Sequence, residues 1–333
     1  FALARDPATE ARRSIPGFIV RRCRCRGGVH DLKGTKPAIM KMPPIITLNE
    51  LSALYDVFFI DQFGVLRGGE TAYAGAAQAL ARLKAQGKTI VILSNSGRSG
   101  QYNAARLVRL GFDSGSFDHF VTSGDVALTL LESGHLPIEK TKHTRSLTIS
   151  SGDDRSLADK LGFSSVASSD AADLIIISGS ETERVPLETY RSLLYPAAKR
   201  GVPCICTNPD VHKLVGDTLL PAAGAIATLY EEMGGVVTRI GKPHMDIYQH
   251  AHTLCRYPEK ARIVSIGDSL DHDIRGAETF GIDSVLARTG VQAHVSEATL
   301  LAQMREARLA PRYLLRSFVW GENASRNPVE HIR

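Results

Sequence analysis

Long apolar runs are missing from this sequence. No stretch approaches the roughly 18 uninterrupted apolar residues of a membrane-spanning helix, so no membrane partner is expected. Cysteine is scarce: the chain holds Cys23, Cys25, Cys204, Cys206 and Cys255. Both close pairs are C-x-C, an awkward spacing for a disulfide, and no second cluster completes a set of zinc ligands. Such usage suits a reducing compartment, and a cytoplasmic location is expected. No G-x-G-x-x-G follows a strand-like run, which disfavours a nucleotide-binding dehydrogenase, and no internal repeat is found. Most of the chain also lacks a basic excess. The formal charge is +5, but residues 1–41 alone hold ten Lys/Arg against three Asp/Glu. The rest holds 30 against 32. The basicity belongs to the tail, so a nucleic-acid-binding face is not expected.

What remains has the profile of a globular protein. Hydrophobic residues make up 43% and charged residues 23% of a chain of 333, enough for about two domains. Strand-like runs alternate with helical patterns, which predicts an α/β fold with a parallel sheet. Residues 1–41 are expected to be a disordered basic tail outside the fold. Asp6, Glu10 and Asp31 argue against a transit peptide, and Met42-Pro43-Pro44 suits the start of the folded part. A core is expected over 42–139 and 226–320, an inserted α/β domain over 140–225, and a loose end over 321–333. Cys204 and Cys206 lie in an apolar run and read as strand residues.

The strongest stretch is Val57 to Leu66. Four apolar residues end in Asp61, and Gly64 follows. This is the pattern of a buried strand that delivers a carboxylate to its carboxyl end and then turns. Before it, Thr47 and Glu50 form a capping-box pattern for a short helix to Tyr55. Beyond it, helices are expected over 74–86, 100–110 and 125–132, and strands over 89–93 and 119–122. The insert carries strands over 147–149, 173–177 and 202–207, and helices over 154–161 and 187–199. Helix 222–233 leads out of it. Further strands are expected over 236–240 and 263–266, then helix 271–280 and a last core strand over 284–286.

Three of these strands deliver polar groups at their carboxyl ends: Asp61, Ser94 and Asp268. In an open parallel sheet those ends share one crevice. Lys242, on a Gly-Lys-Pro turn before a helix, can enter it. Two carboxylates, a hydroxyl and a lysine suggest Mg²⁺ together with phosphate.

The order Asp61-x-x-Gly64-Val65, Ser94-Asn95, Gly241-Lys242-Pro243 and Gly267-Asp268-x-x-x-x-Asp273 resembles the four motifs of the haloacid dehalogenase-like (HAD) phosphohydrolases. A large α/β insert between the second and third motifs resembles the class IIA branch. Thr122-Ser123-Gly124-Asp125, Thr207-Asn208-Pro209-Asp210 and Ala222-Ala223-Gly224-Ala225 fit it too. The resemblance covers about residues 45–295. It implies a Rossmann-like parallel-sheet core with an inserted α/β cap. It also implies a Mg²⁺-dependent hydrolase of small phosphorylated metabolites working through an aspartyl phosphate. Asp61 would be the nucleophile. Ser94 and the backbone near Gly64 and Asn95 would hold phosphoryl oxygens, and Lys242 would neutralise Asp61 and the phosphate. Mg²⁺ would be held by Asp61, the Phe63 backbone carbonyl and Asp268, with Asp273 orienting the metal or its waters.

One residue departs from that pattern. Phe63 stands where the family usually carries a second aspartate, which protonates the leaving oxygen and later activates water. Loss of a general acid/base costs typically 10²–10⁴-fold in rate, about 3–5 kcal/mol of barrier. Alkyl phosphates should then react slowly, and aryl or acyl phosphates should suffer least. Two other readings follow: a catalytically impaired protein that binds a phosphate ligand for regulation, or a hydrolase of C–P bonds. Plainer roles are open to single residues. Phe63 would plug the space of the missing aspartate, and Asp271 would be a helix N-cap. Asp273 would be a first-turn helix acid, and Asn95 would only shape its turn. Asn208 and Asp210 would cap the insert or line the crevice, and His244 and His272 would be solvated or hydrogen-bonded. The expected partner is a small phosphorylated metabolite; a homo-oligomer is left open.

Overall fold

Strand Val57–Asp61 is buried along its whole length and pairs in parallel on both sides, with Ile263–Gly267 and Thr89–Ser94. Its alternate residues go to opposite faces. Phe58 and Ile60 join one apolar cluster with Leu80 and Leu83, while Val57 and Phe59 join another with Ile247 and Tyr248. A strand covered by helices on both faces must be apolar throughout, which explains the unbroken run before Asp61. Each such side chain, fully buried, contributes about 1.5–3 kcal/mol.

The computed structural model describes residues 40–321 apart from 137, 139, 140, 142 and 217. The expected basic tail, except its last two residues, lies outside the described residues, as do Cys23, Cys25 and the expected loose end from 322. Six parallel strands form the core sheet in the order Tyr313–Leu315, Asp283–Ala287, Ile263–Gly267, Val57–Asp61, Thr89–Ser94, His119–Thr122. The carboxyl ends of the central three lie at one edge. Helix Leu48–Leu54 carries the expected capping box between Thr47 and Glu50.

A second parallel sheet has five strands, in the order Val236–Arg239, Pro203–Cys206, Leu174–Ile177, Arg145–Ile149, Ser164–Ser165. Cys204 and Cys206 are strand residues, buried and not joined in a disulfide. Several expectations need correction. The expected return to the core at 226 falls too early. Helix Ala223–Glu232 buries Ile226, Ala227 and Tyr230 in the same cluster as Ile175 and Cys204, and Val236–Arg239 is an edge strand of this second sheet. Strand 283–287 is not the last of the core, because Tyr313–Leu315 pairs beyond it after helix Glu297–Ala307. Only three residues long and at the edge, that strand gives little periodic signal. Helix 271–280 is in two parts: a π-helical turn, Leu270–Ile274, leads into Arg275–Phe280. A hairpin of His212–Val215 with Thr218–Pro221 was not expected.

Candidate active site

Asp61 ends its strand at the carboxyl edge of the core sheet, where Lys242 reaches it. The Lys242 ammonium donates to Asp61 Oδ1 at 2.6 Å and to Asp273 Oδ1 at 2.7 Å. All three groups are buried. Asp61, Asp268 and Asp273 each place a carboxylate oxygen within 4.8 Å of the others. Burial pushes the Asp61 carboxyl up to about 7, and Asp273 adds to this, against the pull of Lys242. Asp268 is raised well above the usual carboxylate range, by burial first and then by its two acidic neighbours. Burial alone would lower Lys242; Asp273 and Asp61 outweigh it and hold the ammonium charged.

The lysine is aimed by its own peptide. Asn95 Oδ1 accepts from Lys242 N at 2.7 Å, and Asn95 Nδ2 donates to Lys242 O at 2.9 Å. The preceding Gly241 has φ +118°, and a Cβ there would lie 2.2 Å from Ser123 Oγ. Asn95 therefore does more than shape its turn: it ties the end of one core strand to the lysine loop. Its Nδ2 also donates to Asp210 Oδ1 at 2.8 Å, so Asp210 lines the site from the second sheet. Asn208 stays local and accepts from Asp210 N through Oδ1 at 3.3 Å.

Gly64 must be glycine. Its φ is +80°, and a Cβ would stand 2.0 Å from Asp268 Oδ2. Gly290 faces the same carboxylate, where a Cβ would come within 1.9 Å. Asp268 is held by Val291 N, which donates to Oδ2 at 2.7 Å, and Thr289 Oγ1 donates to Gly64 O. The segment Thr289–Val291 escaped the sequence reading. Its only signal is a Thr-Gly pair just after a core strand. Asp273 is no ordinary first-turn acid, because Oδ1 takes the lysine while Oδ2 accepts from Ser269 N at 3.1 Å.

Ser94 is buried, and its hydroxyl lies 3.5 Å from Gln62 Oε1. Gln62 Nε2 is buried without a partner among the described residues. Asp271 caps nothing; Ser269 is the N-cap, and Asp271 pairs with Arg275 at 2.9 Å on the surface. His272 is hydrogen-bonded, with Nδ1 3.3 Å from Lys242 O and Nε2 3.6 Å from Asp210. His244 occupies the N-cap position of helix Met245–Leu254 without a side-chain bond. Phe63 does not plug a buried space. The residue is 47% exposed, and the fully buried Arg67 lays its guanidinium 3.8 Å from the ring centroid. The reason is local: Phe63 and Arg67 form a bridge across the tight turn that Gly64 makes.

Comparison with known proteins bears on the family and the fold. The family described as haloacid dehalogenase-like hydrolase matches residues 58–164, and the one described as HAD-hydrolase-like matches residues 239–318. A haloacid dehalogenase-like hydrolase from Brucella suis 1330 is 32% identical, with a TM-score of 0.70 over 84% of this chain and 100% of that one. The D-glycerol 3-phosphate phosphatase of Mycobacterium tuberculosis is 26% identical over 250 residues, 74% of this chain and 66% of that protein. A glycerol phosphate phosphatase of the same organism, crystallised with magnesium, shares the fold at 23% identity, with a TM-score of 0.60 over 80% of this chain and 77% of that one. The chain spans between 33% and 66% of the length of the first curated relatives it matches. The fold is a parallel-sheet α/β fold with buried carboxylates at the carboxyl edge of the core sheet. The chain belongs to the haloacid dehalogenase-like hydrolase family.

Proposed function

We propose that this protein is a Mg²⁺-dependent phosphatase of small phosphorylated metabolites, with Asp61 as the nucleophile. The reading rests most on one observation: Lys242 is shared between Asp61 and Asp273 beside Asp268, all buried at the carboxyl edge of the core sheet. Three buried carboxyl groups against one ammonium cannot all ionise without a further cation, so the site takes up protons or a metal ion. The donor set is all oxygen and suits Mg²⁺. Asp61, Asp268 and the Phe63 carbonyl would hold it, with Asp273 behind them. The bound ion would supply positive charge that lets two anions approach each other.

The chain's own groups would act as follows. Lys242 favours the ionised form of Asp61 against the burial that opposes it, and adds positive charge for the phosphoryl oxygens. An Asp61 oxygen bonds to phosphorus as the ester P–O bond breaks, and the electron pair leaves on the departing oxygen. Ser94 and the backbone near Gly64 and Asn95 hold the phosphoryl group. Water then cleaves the aspartyl phosphate. The second sheet acts as a cap over 140–239 that limits access of water and sets specificity, with Asp210 reaching down from it. Relatives that act on glycerol phosphate support a small metabolite as substrate.

The test is turnover of p-nitrophenyl phosphate with and without Mg²⁺. Activity that needs Mg²⁺ and is lost in Asp61→Asn is expected. Mg²⁺-dependent binding of phosphate esters with no turnover across a broad panel would favour the regulatory reading instead. Phe63→Asp should raise hydrolysis of alkyl phosphates, by up to about 10²-fold if the missing acid limits the rate.

A further inference from the structure

The side chains of Phe63 and Arg67 form a unit that the reaction described above does not use. The residues around Phe63 are buried: Gln62 and Arg67 are fully so, and Asp61 nearly so. Yet Phe63 is 47% exposed. Its backbone sits between Asp61 and Gly64, whose Cα lies against Asp268, and the Arg67 guanidinium over the ring is near enough to feel the Asp61 charge, so the ring is attached beside the carboxylate cluster. One face is backed by Arg67, whose guanidinium carbon lies 3.8 Å from the centroid. That guanidinium is itself held, because Nη1 donates to Gly69 O. Its Nε and Nη2 are buried without partners among the described residues, so the ring face is what the cation leans on. A large exposed aromatic fixed in this way is a stacking platform.

From this geometry we infer that Phe63 is a specificity-determining residue, and that the favoured substrates are monophosphate esters of planar aromatic alcohols. The inference rests on the phosphatase reading and names its substrate class. Two independent demands meet at this one position. Without an acid at position 63, the departing oxygen must leave as an anion, which an aryl oxide does far more readily than an alkoxide. The Asp61 oxygen bonds to phosphorus, the P–O bond to the ring breaks, and the aryl oxide carries off the electron pair. It takes a proton from water after leaving. The group that replaces the acid also offers its free face to that same aromatic ring. Arg67 is a positioning residue that acts through Phe63.

The experiment separates stacking from leaving-group acidity. It compares kcat/KM for an aryl phosphate and for a fluoroalkyl phosphate whose leaving alcohol has matched acidity. The wild type should prefer the aryl ester by about three- to tenfold. Phe63→Leu should bring the ratio near one, with the loss seen in KM, while Phe63→Tyr should keep it. Arg67→Met should lower it partway. An equal ratio in wild type and Phe63→Leu, or equal losses on both esters, overturns the inference while leaving the phosphatase reading intact. Failure of the wild type to turn over either ester overturns the phosphatase reading instead. Binding then decides the stacking claim: phenylphosphonate should bind more tightly than methylphosphonate with Mg²⁺ present, and Phe63→Leu should abolish the difference. Equal binding of the two by the wild type sinks it.

Discussion

Lys242 carries the electrostatics of the site at the scale of single residues. It is the one ammonium on two buried carboxylates, at 2.6 and 2.7 Å. Removing one partner of a buried ion pair typically costs about 3–5 kcal/mol, because the other is left without compensation. Lys242→Met should therefore lower the unfolding free energy of the metal-free protein, read from the urea midpoint and slope, by that order, and added Mg²⁺ should restore part of it. An unchanged midpoint would mean that the carboxyls simply take up protons. Gly64→Ala forces a side chain into φ +80° and against Asp268. A stability loss of about 1–2 kcal/mol is expected from the backbone alone. Titration calorimetry should also show weakened Mg²⁺ binding, because Asp268 must move.

Between elements, Asn95 does the joining. It stands one residue after strand Thr89–Ser94 and grips both backbone groups of Lys242, then reaches Asp210 from the second sheet. Asn95→Ala leaves the buried Lys242 N–H with no side-chain partner and its C=O with only the longer His272 contact. A loss of about 1–3 kcal/mol is expected in chemical unfolding. Turnover should fall along with it, since the lysine is no longer aimed. Asp210→Ala breaks only the link to the second sheet, so it should spare stability and change KM with substrate size. If the two variants behave alike, the bond between sheets, and not the aiming of Lys242, is what matters.

For the whole molecule, the buried carboxylates link folding, pH and metal. Burial places the folded Asp61 carboxyl at about 7, above its unfolded range near 3.9. The metal-free fold therefore binds more protons than the unfolded chain. Asp61's contribution to stability is full at acid pH and is lost as pH rises toward 7. Mg²⁺ must displace that proton, so its binding should weaken as pH falls through about 7. At a hundredfold excess over Kd, Mg²⁺ should raise Tm by roughly 5 °C at pH 8, and by clearly less at pH 6. A shift that is the same at both values would place the metal away from Asp61.

Periodicity and strand-end chemistry made much of this legible. The apolar run before Asp61, the Thr47–Glu50 capping box and the Gly-Lys-Pro turn are local patterns, and local patterns follow from local energetics. That is why Asp61, Ser94, Lys242 and Asp268 could be picked out and expected at one sheet edge. Long-range packing decided the rest. Val236–Arg239 reads as a strand in any sheet; only pairing with Pro203–Cys206 put it in the second one. Thr289–Val291 has no motif of its own, and its grip on Asp268 exists only because two distant strands end side by side. Phe63 is the sharpest case. Its identity alone showed that no acid stands at that position. Whether the ring would be core or surface depended on where Arg67 could bury its charge, and that was settled by the turn through Gly64.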